Sequence, residues 1–417
     1  MAQLNDEKAV PTELTAVAAA VESFLRTELP SDWVAAIDAG DAAALRAARA
    51  QLDEAQWWRR LGEAGYIAPT WPQEYGGLGA NRATAIAVSR TLSRYRVPNF
   101  SLGLIGLDLV GPAIMQWGTG QQKRELLLRI VSREHVWCQL FSEPGAGSDL
   151  AGLSTRAVRA GDADEWRVSG QKVWSSFAHE ATHGILLART NPDVPKHEGI
   201  TVFLIAMDQP GITVRPLRHI AGDVEFNEVF LDDAVVSDDM RLGELGDGWK
   251  ITVSVLLNER QSASGSGGAL PGTTTGRSVD ALVRRHAPVA DPLLRQRLAK
   301  AYIDDLIVQV TSRRAAARRK RGDAAGSEGS VLKVLATEHA KELQDLAVDL
   351  EGVAGQAWVA DDQFREKTAW SLMRVQSKTI SGGTSEIQRN ILGERILGLP
   401  KEPGDDRNTP WAKVRRS

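Results

Sequence analysis

Across residues 135–233 the chain stops spacing its apolar residues three and four apart and breaks into short runs rich in β-branched and aromatic side chains. VWCQLF, STRAVR, EWRVSG, KVWSS, GILLAR, ITVFLIA, ITVRP and EVFL follow one another, separated by Gly, Asp and Pro, and each has the length and punctuation of a strand. Eight short strands need a shared core, which a compact barrel or sandwich supplies. On either side the period is helical. Leu14, Val17, Val21 and Phe24 recur along one face, and Leu52, Trp58 and Leu61 lead to Gly65 in C-cap style. Leu294, Leu298, Tyr302, Leu306 and Val310 make a stripe behind an Asp291-Pro292 start. Leu332, Leu335, His339, Leu343, Leu346 and Leu350 make another. The expected fold is therefore α+β: an N-terminal helical domain over 1–134, a middle β-barrel or sandwich domain over 135–243, a C-terminal helical domain over 244–400 and a tail over 401–417. The Gly-, Ser- and Thr-rich residues 265–276 read as an irregular connection.

Composition narrows the function classes. With 50 Lys and Arg against 53 Asp and Glu, the net charge of −3 argues against a nucleic-acid-coating chain. The basic run Arg313, Arg314, Arg318, Arg319, Lys320 and Arg321 then reads as a solvated helix end complementing the dipole. Cys138 is the one cysteine, so neither an internal disulfide nor a thiolate cage for zinc can form, which fits a reducing cytoplasm. No metal is expected, and His339 reads as a satisfied core histidine. The first residues lack the charged-then-apolar shape of a signal peptide. The most apolar stretch, residues 101–115, carries Asp108 and Pro112 and falls short of the ~20 residues a membrane helix needs.

Three segments carry chemistry. Ser142-Glu143-Pro144-Gly145-Ala146-Gly147-Ser148-Asp149 combines two glycines, which let backbone approach a ligand, with hydroxyls and amides that donate hydrogen bonds. Gly170-Gln171-Lys172-Val173-Trp174-Ser175-Ser176 places an indole before two hydroxyls at a strand end. That suits the lining of a flat aromatic cofactor and equally describes a core tryptophan with solvated serines. Ser381-Gly382-Gly383-Thr384-Ser385-Glu386-Ile387-Gln388-Arg389-Asn390 is a glycine turn into a helix with Thr384 as N-cap, whose free amides can meet an electronegative group.

In this order, within an α-β-α chain, the three segments resemble the acyl-CoA dehydrogenase family. Trp71-Pro72-Gln73-Glu74-Tyr75-Gly76-Gly77-Leu78-Gly79, Phe226-Asn227-Glu228-Val229 and Gly393-Glu394-Arg395-Ile396-Leu397-Gly398-Leu399-Pro400 add to the likeness. The resemblance implies a C-terminal four-helix bundle, a tetramer, FAD as cofactor, and oxidation of an acyl-CoA thioester to its trans-2-enoyl-CoA, with an electron-transfer flavoprotein as acceptor. Many family members place the catalytic glutamate just before the Gly-Thr of the C-terminal motif, where this chain has Gly382. The family's second location falls in Leu256-Leu257-Asn258-Glu259-Arg260, which makes Glu259 the candidate base. Its position after Val255 and Leu256 on a helix implies burial, and burial raises carboxyl basicity.

The remaining roles follow from the same resemblance. The amide of Gly382 would hold the thioester oxygen. Gln139, Leu140, Phe141 and Ser142 would border the flavin's pyrimidine side, Trp174 would cover a ring face with Ser175 beside it, and Ser176 would approach N5. Thr384 and Glu386 would meet the adenosine half, Gly352 and Gly355 a flavin bound by another subunit, and Ser148 and Arg260 the CoA. A glycine at 382 either makes room for a branched or bulky acyl group or serves only its turn. The stretch from Gly276 to Leu282 lacks the Phe-Gly element that many members use to reach a neighbour's FAD, which leaves homo-oligomer and mixed tetramer both open. Two other readings share the fold: a flavin-dependent monooxygenase, which needs no α-proton base, and a non-catalytic partner subunit.

Overall fold

The computed structural model describes residues 12–97, 103–161, 164–263, 279–321, 328–357, 363–401 and 408–414. One compact unit comprises Met1–Leu107 with Gly118–Val136, a second Asp108–Trp117 with Trp137–Ser417. The first is helical: α1 (Thr12–Glu28), α2 (Ser31–Ala39), α3 (Ala42–Arg49), α4 (Glu54–Glu63) and α5 (Arg82–Arg94). Then α6 (Gly111–Trp117) belongs to the second unit, and α7 (Gly120–Val131) returns to the first. Side-chain caps start these helices where the sequence provides them. Asp41, Asp53 and Asn81 accept amides of the first turns of α3, α4 and α5, and Thr119 with Gln122 forms a capping box on α7. Val21, Leu25, Trp33, Trp57, Leu61 and Tyr95 form the core. The buried Trp33 indole donates to the Tyr95 carbonyl at 2.9 Å, so its one polar atom is satisfied.

The second unit holds an eight-stranded sheet. Its strands are β1 (Trp137–Leu140), β2 (Arg156–Arg159), β3 (Glu165–Lys172), β4 (His183–Arg189), β5 (Ile200–Ala206), β6 (Ile212–Leu217), β7 (Phe226–Ser237) and β8 (Arg241–Leu242). They run in the order β6-β7-β3-β2-β4-β5-β8, with β1 off this path and parallel to β4. Leu140, Val168, Leu186, Phe203, Ile205 and Val229 lie in its core. The runs EWRVSG and KVWSS, expected as separate strands, lie largely on the single strand β3, with Val173 onward beyond its end. The glycine between them is a bulge, since the register with β7 shifts between Val168 and Gly170. At Gly170 a Cβ would lie 2.3 Å from Thr155 Oγ1, so the residue is there for close approach of β2 and β3.

β1 and β2 share one edge of β4, β1 pairing at 183–186 and β2 at Arg189. The sheet therefore opens between them, and the Ser142 segment leaves the sheet at that opening. Residues 408–414, expected as a tail, are seated on the sheet domain. Trp411 and Ala412 donate backbone N–H to Val194 and Pro192, and the buried Arg189 guanidinium sits 4.3 Å from the Trp411 ring centroid.

Helices α8 (Gly248–Ala263), α9 (Val279–His286), α10 (Pro292–Lys320), α11 (Glu328–Glu351), α12 (Gln363–Val375) and α13 (Ser385–Arg395) follow. α11 is central, packing on α8, α10, α12 and α13. The expected α10 stripe is only half covered: Leu298 is 8% exposed, but Tyr302 is 51%, Leu306 42% and Val310 60% exposed. The cause is its strict spacing of four. At 3.6 residues per turn each such step rotates the side chain by about 40°, so the far end of the row has left the α11 face. His339 is half-buried with both ring nitrogens out of solvent, neither of them hydrogen-bonded among the described residues, and the Asp305 carboxylate is 3.9 Å away. The satisfied partner expected of a core histidine is absent there. Among the described residues no helix is long and apolar enough to cross a membrane.

Candidate functional site

The Ser142 segment is anchored by a buried charge pair. Lys172, fully buried at the end of β3, donates to the Phe141 carbonyl at 3.0 Å and to Glu143 at 2.9 Å. Glu143 also accepts the backbone N–H groups of Ser154 and Thr155 at 2.7 and 2.9 Å. Burial pushes the Glu143 carboxyl up, but the Lys172 ammonium and these hydrogen bonds outweigh it and hold the group below the usual carboxylate range. Burial lowers the Lys172 ammonium, with Glu143 opposing. From this anchor Glu143 and Ala146 close a tight two-way turn. Gly145 and Gly147 then face open space, where an added Cβ would meet nothing within 4 Å. Ser148 is exposed at the end of the turn. The sequence carried no local signal of this pair, since Glu143 stands between Ser142 and Pro144 and Lys172 between Gln171 and Val173.

The Trp174 segment meets the Ser142 segment directly, because Val173 N–H donates to the Ser142 carbonyl at 2.9 Å. Trp174 has φ +61 and is 59% exposed, so it is no core tryptophan. A large indole held open in the left-handed region is costly unless its surroundings fix it. Ser175 is buried and turned inward: its N–H donates to the Asn227 carbonyl and its carbonyl accepts from Asn227 Nδ2. Ser176 is half-buried. Leu140 and Phe141 are buried too, and Gln139 is half-buried on β1. The surface presented here is thus Trp174 with Ser176, Ser142 and the two open glycines.

Around Phe226, the first residue of the Phe226-Asn227-Glu228-Val229 motif, lies a charged cluster that no spacing in the sequence announced. Phe226 meets the Trp174 ring edge-on at 5.8 Å and 84°. His219 donates or accepts at 2.7 Å with Glu225, Asp223 accepts the Trp370 indole N–H at 2.6 Å, and Arg374 pairs with Glu225 at 2.8 Å. The His219, Asp223 and Glu225 ligand atoms lie within 4.8 Å of one another. A cation there would compete with the Arg374 guanidinium already on Glu225, so the group is an ion-pair cluster joining the β6–β7 connection to α12.

α12 runs into the third segment. Gly382 and Gly383 have φ +64 and +86, so this turn needs glycines for its shape alone. Thr384 caps α13 by accepting the Ile387 N–H at 3.2 Å. Glu386 is exposed on the first turn, its carboxyl held low by its own backbone N–H and by Thr384. Just before the turn, burial lowers the Lys378 ammonium to about 7, with Arg374 adding to the effect. Gly352 and Gly355 lie in a short 3-10 turn packed on α11 and α12, and the intervening Val353 is 87% exposed. Glu259 and Arg260 belong to α8, whose Ile251 and Val255 are fully buried, but the side chains of both lie outside the described residues. A separate cavity of about 430 Å³ in the first unit is lined by Glu22, Arg26, Asp38 and Arg94, whose charges already pair with one another. It shares no residue with the site.

Family models match the chain in three consecutive pieces: acyl-CoA dehydrogenase N-terminal domain at residues 11–134, middle domain at 138–234 and C-terminal domain at 246–397. An acyl-CoA dehydrogenase of Mycobacterium tuberculosis, IpdE1, is 38% identical over 89% of this chain and 96% of its own length. Among solved structures, the Tcur3481-Tcur3483 steroid ACAD superposes with a TM-score of 0.74 and 26% identity, covering 94% of this chain and 99% of that one. The ChsE4-ChsE5 complex of Mycobacterium tuberculosis gives 0.72 and 27%, covering 95% and 100%. The chain belongs to the acyl-CoA dehydrogenase family. It is accordingly an oxidoreductase.

Proposed function

We propose that the chain is an FAD-dependent acyl-CoA dehydrogenase that introduces an α,β double bond into an acyl-CoA thioester, with Glu259 as base. The observation that carries this is Trp174: an indole 59% exposed in left-handed backbone, hydrogen-bonded on both sides and set beside the Ser142 segment. Two glycines open to solvent, free hydroxyls and a capped helix start at Thr384 fit a flat ring carrying a phosphorylated tail. When bound, the flavin supplies the hydride acceptor for Cβ. The chain supplies the rest. Trp174 and Ser176 line one ring face, and Ser142 with Gln139 borders the ring edge. The Gly382 amide donates to the thioester oxygen and so acidifies Cα. Glu259, one turn beyond the buried Val255, takes the proton. Ser148 and Arg260 hold the CoA. The proposed electron acceptor is an electron-transfer flavoprotein, and the proposed compartment the cytoplasm.

For the acyl group we propose a branched or bulky class. The relative described as a steroid ACAD supports it. The uncovered far end of α10 supports assembly with a second copy or a related subunit, and Gly352 and Gly355, at an exposed turn, would face that neighbour's flavin. The paired names of both solved relatives favour a mixed assembly. The test is anaerobic mixing of the yellow holoenzyme with a panel of acyl-CoAs. Wild type should bleach, and Glu259→Gln should keep FAD and ligand binding while slowing reduction ~10²-fold or more. Near-normal bleaching by the variant would remove Glu259 from the mechanism.

A further inference from the structure

We infer that Arg374 is a positioning residue for the Trp174 face, and that through it the two halves of the site are held in one arrangement. The inference rests on the reading that Trp174 flanks the flavin. Trp174 itself is poorly buried, so its own packing cannot fix an indole at φ +61, a conformation that is unfavourable for a bulky residue. What can fix it is the edge-on Phe226 ring at 5.8 Å, and Phe226 is in turn held by Arg374. The guanidinium carbon lies 5.4 Å from the Phe226 ring centroid, within cation–π range. The same guanidinium pairs with Glu225 at 2.8 Å, the residue just before Phe226. The Glu225 carbonyl accepts the Phe177 N–H at 2.7 Å, on the far side of Trp174. One side chain thus grips two consecutive residues, Phe226 against the Trp174 ring and Glu225 hydrogen-bonded to Phe177.

Its other nitrogen faces the opposite half of the site. Arg374 Nη1 donates to the Ser377 hydroxyl, in the 3-10 turn that leads from α12 to Gly382. A planar fork with several donors suits this double grip, where a lysine would satisfy one partner at a time. The effect of Arg374 is pre-organisation: a face already set does not have to be ordered at the expense of binding energy.

The experiment has two arms. In the first, amide exchange is followed on flavin-free protein for the peptide spanning residues 173–178. Arg374→Met should speed it about 10-fold or more relative to wild type, because the Phe177 and Ser175 amides lose the support that holds them closed. Arg374→Lys, which keeps the Glu225 pair, should fall between. In the second arm a double-mutant cycle measures FAD Kd for wild type, Arg374→Met, Trp174→Phe and the double variant. Arg374→Met should weaken FAD by about 10-fold with Trp174 present and by less than about 3-fold without it, the coupling expected of residues acting through one contact. Equal weakening in both backgrounds, or unchanged exchange in the first arm, overturns the proposal. If Arg374→Met fails to fold, Arg374→Lys carries the same cycle. A wild type that binds no FAD would sink the cofactor reading, while the exchange arm would still decide whether Arg374 holds the Trp174 segment.

Discussion

Replacing Lys172 by Met tests the anchor beneath the site, because methionine fills nearly the same volume and removes the charge together with the ammonium's hydrogen bonds. Lys172 is 0% exposed and Glu143 7%, so the variant leaves a buried carboxylate without its cation. Loss of one partner of a buried pair costs about 3–5 kcal/mol. Glu143 keeps two backbone donors, which places the expected loss near the lower end, while the Phe141 carbonyl loses its Lys172 bond. At about 2.1 cal/mol/K of unfolding entropy per residue, a unit as large as the second one shifts by roughly 1–2 °C per kcal/mol, so the melting temperature should fall by roughly 5 °C at pH 7.

The pH dependence identifies the cause. In wild type the Glu143 carboxyl is depressed below its ordinary value, so its contribution is present above the unfolded pKa and is lost as pH falls through the folded one. In Lys172→Met the cation is gone and only the two backbone donors still oppose burial, so the carboxyl rises and its protonation costs the folded state less than in wild type. The gap between the two proteins should therefore narrow steadily as scanning calorimetry moves from pH 7 toward pH 4. A gap that stays constant would show that the loss comes from packing and that the charge pair is not what anchors the Ser142 segment.

Gly170→Ala should destabilise by about 1–3 kcal/mol through overpacking, since the new methyl would meet Thr155 Cα at 2.7 Å as well as its hydroxyl; an unchanged thermal midpoint would mean that β2 and β3 can separate at no cost. Val310→Glu puts a charge into the exposed apolar end of α10 and should lower the assembled mass seen by light scattering toward the 45.2 kDa of a single chain. An assembly unaffected by it would place the subunit contact elsewhere.

The α-β-α order was legible in the residues because periodicity is local: a period of 3.6 or of 2 states which face of an element is apolar without reference to anything distant. The cap at Thr384 and the glycines of the Gly382 turn were legible for the same reason, as each answers a demand of its own backbone. What the apolar faces meet is not local. Tyr302 and Val310 continue the Leu298 row in sequence, yet the 40° drift per step carries them off α11, and only the packed helices reveal where the row stops being core. Likewise Gly170 looks like a break between strands until Thr155 is found against it. The support of the candidate site was least legible of all. Glu143 and Lys172 stand in different motifs and Glu225 and Arg374 in none, and an ion pair between segments far apart in the chain leaves no spacing to read. Tertiary structure alone brought those charges together, because burying any one of them is unfavourable until its partner arrives from another strand or helix.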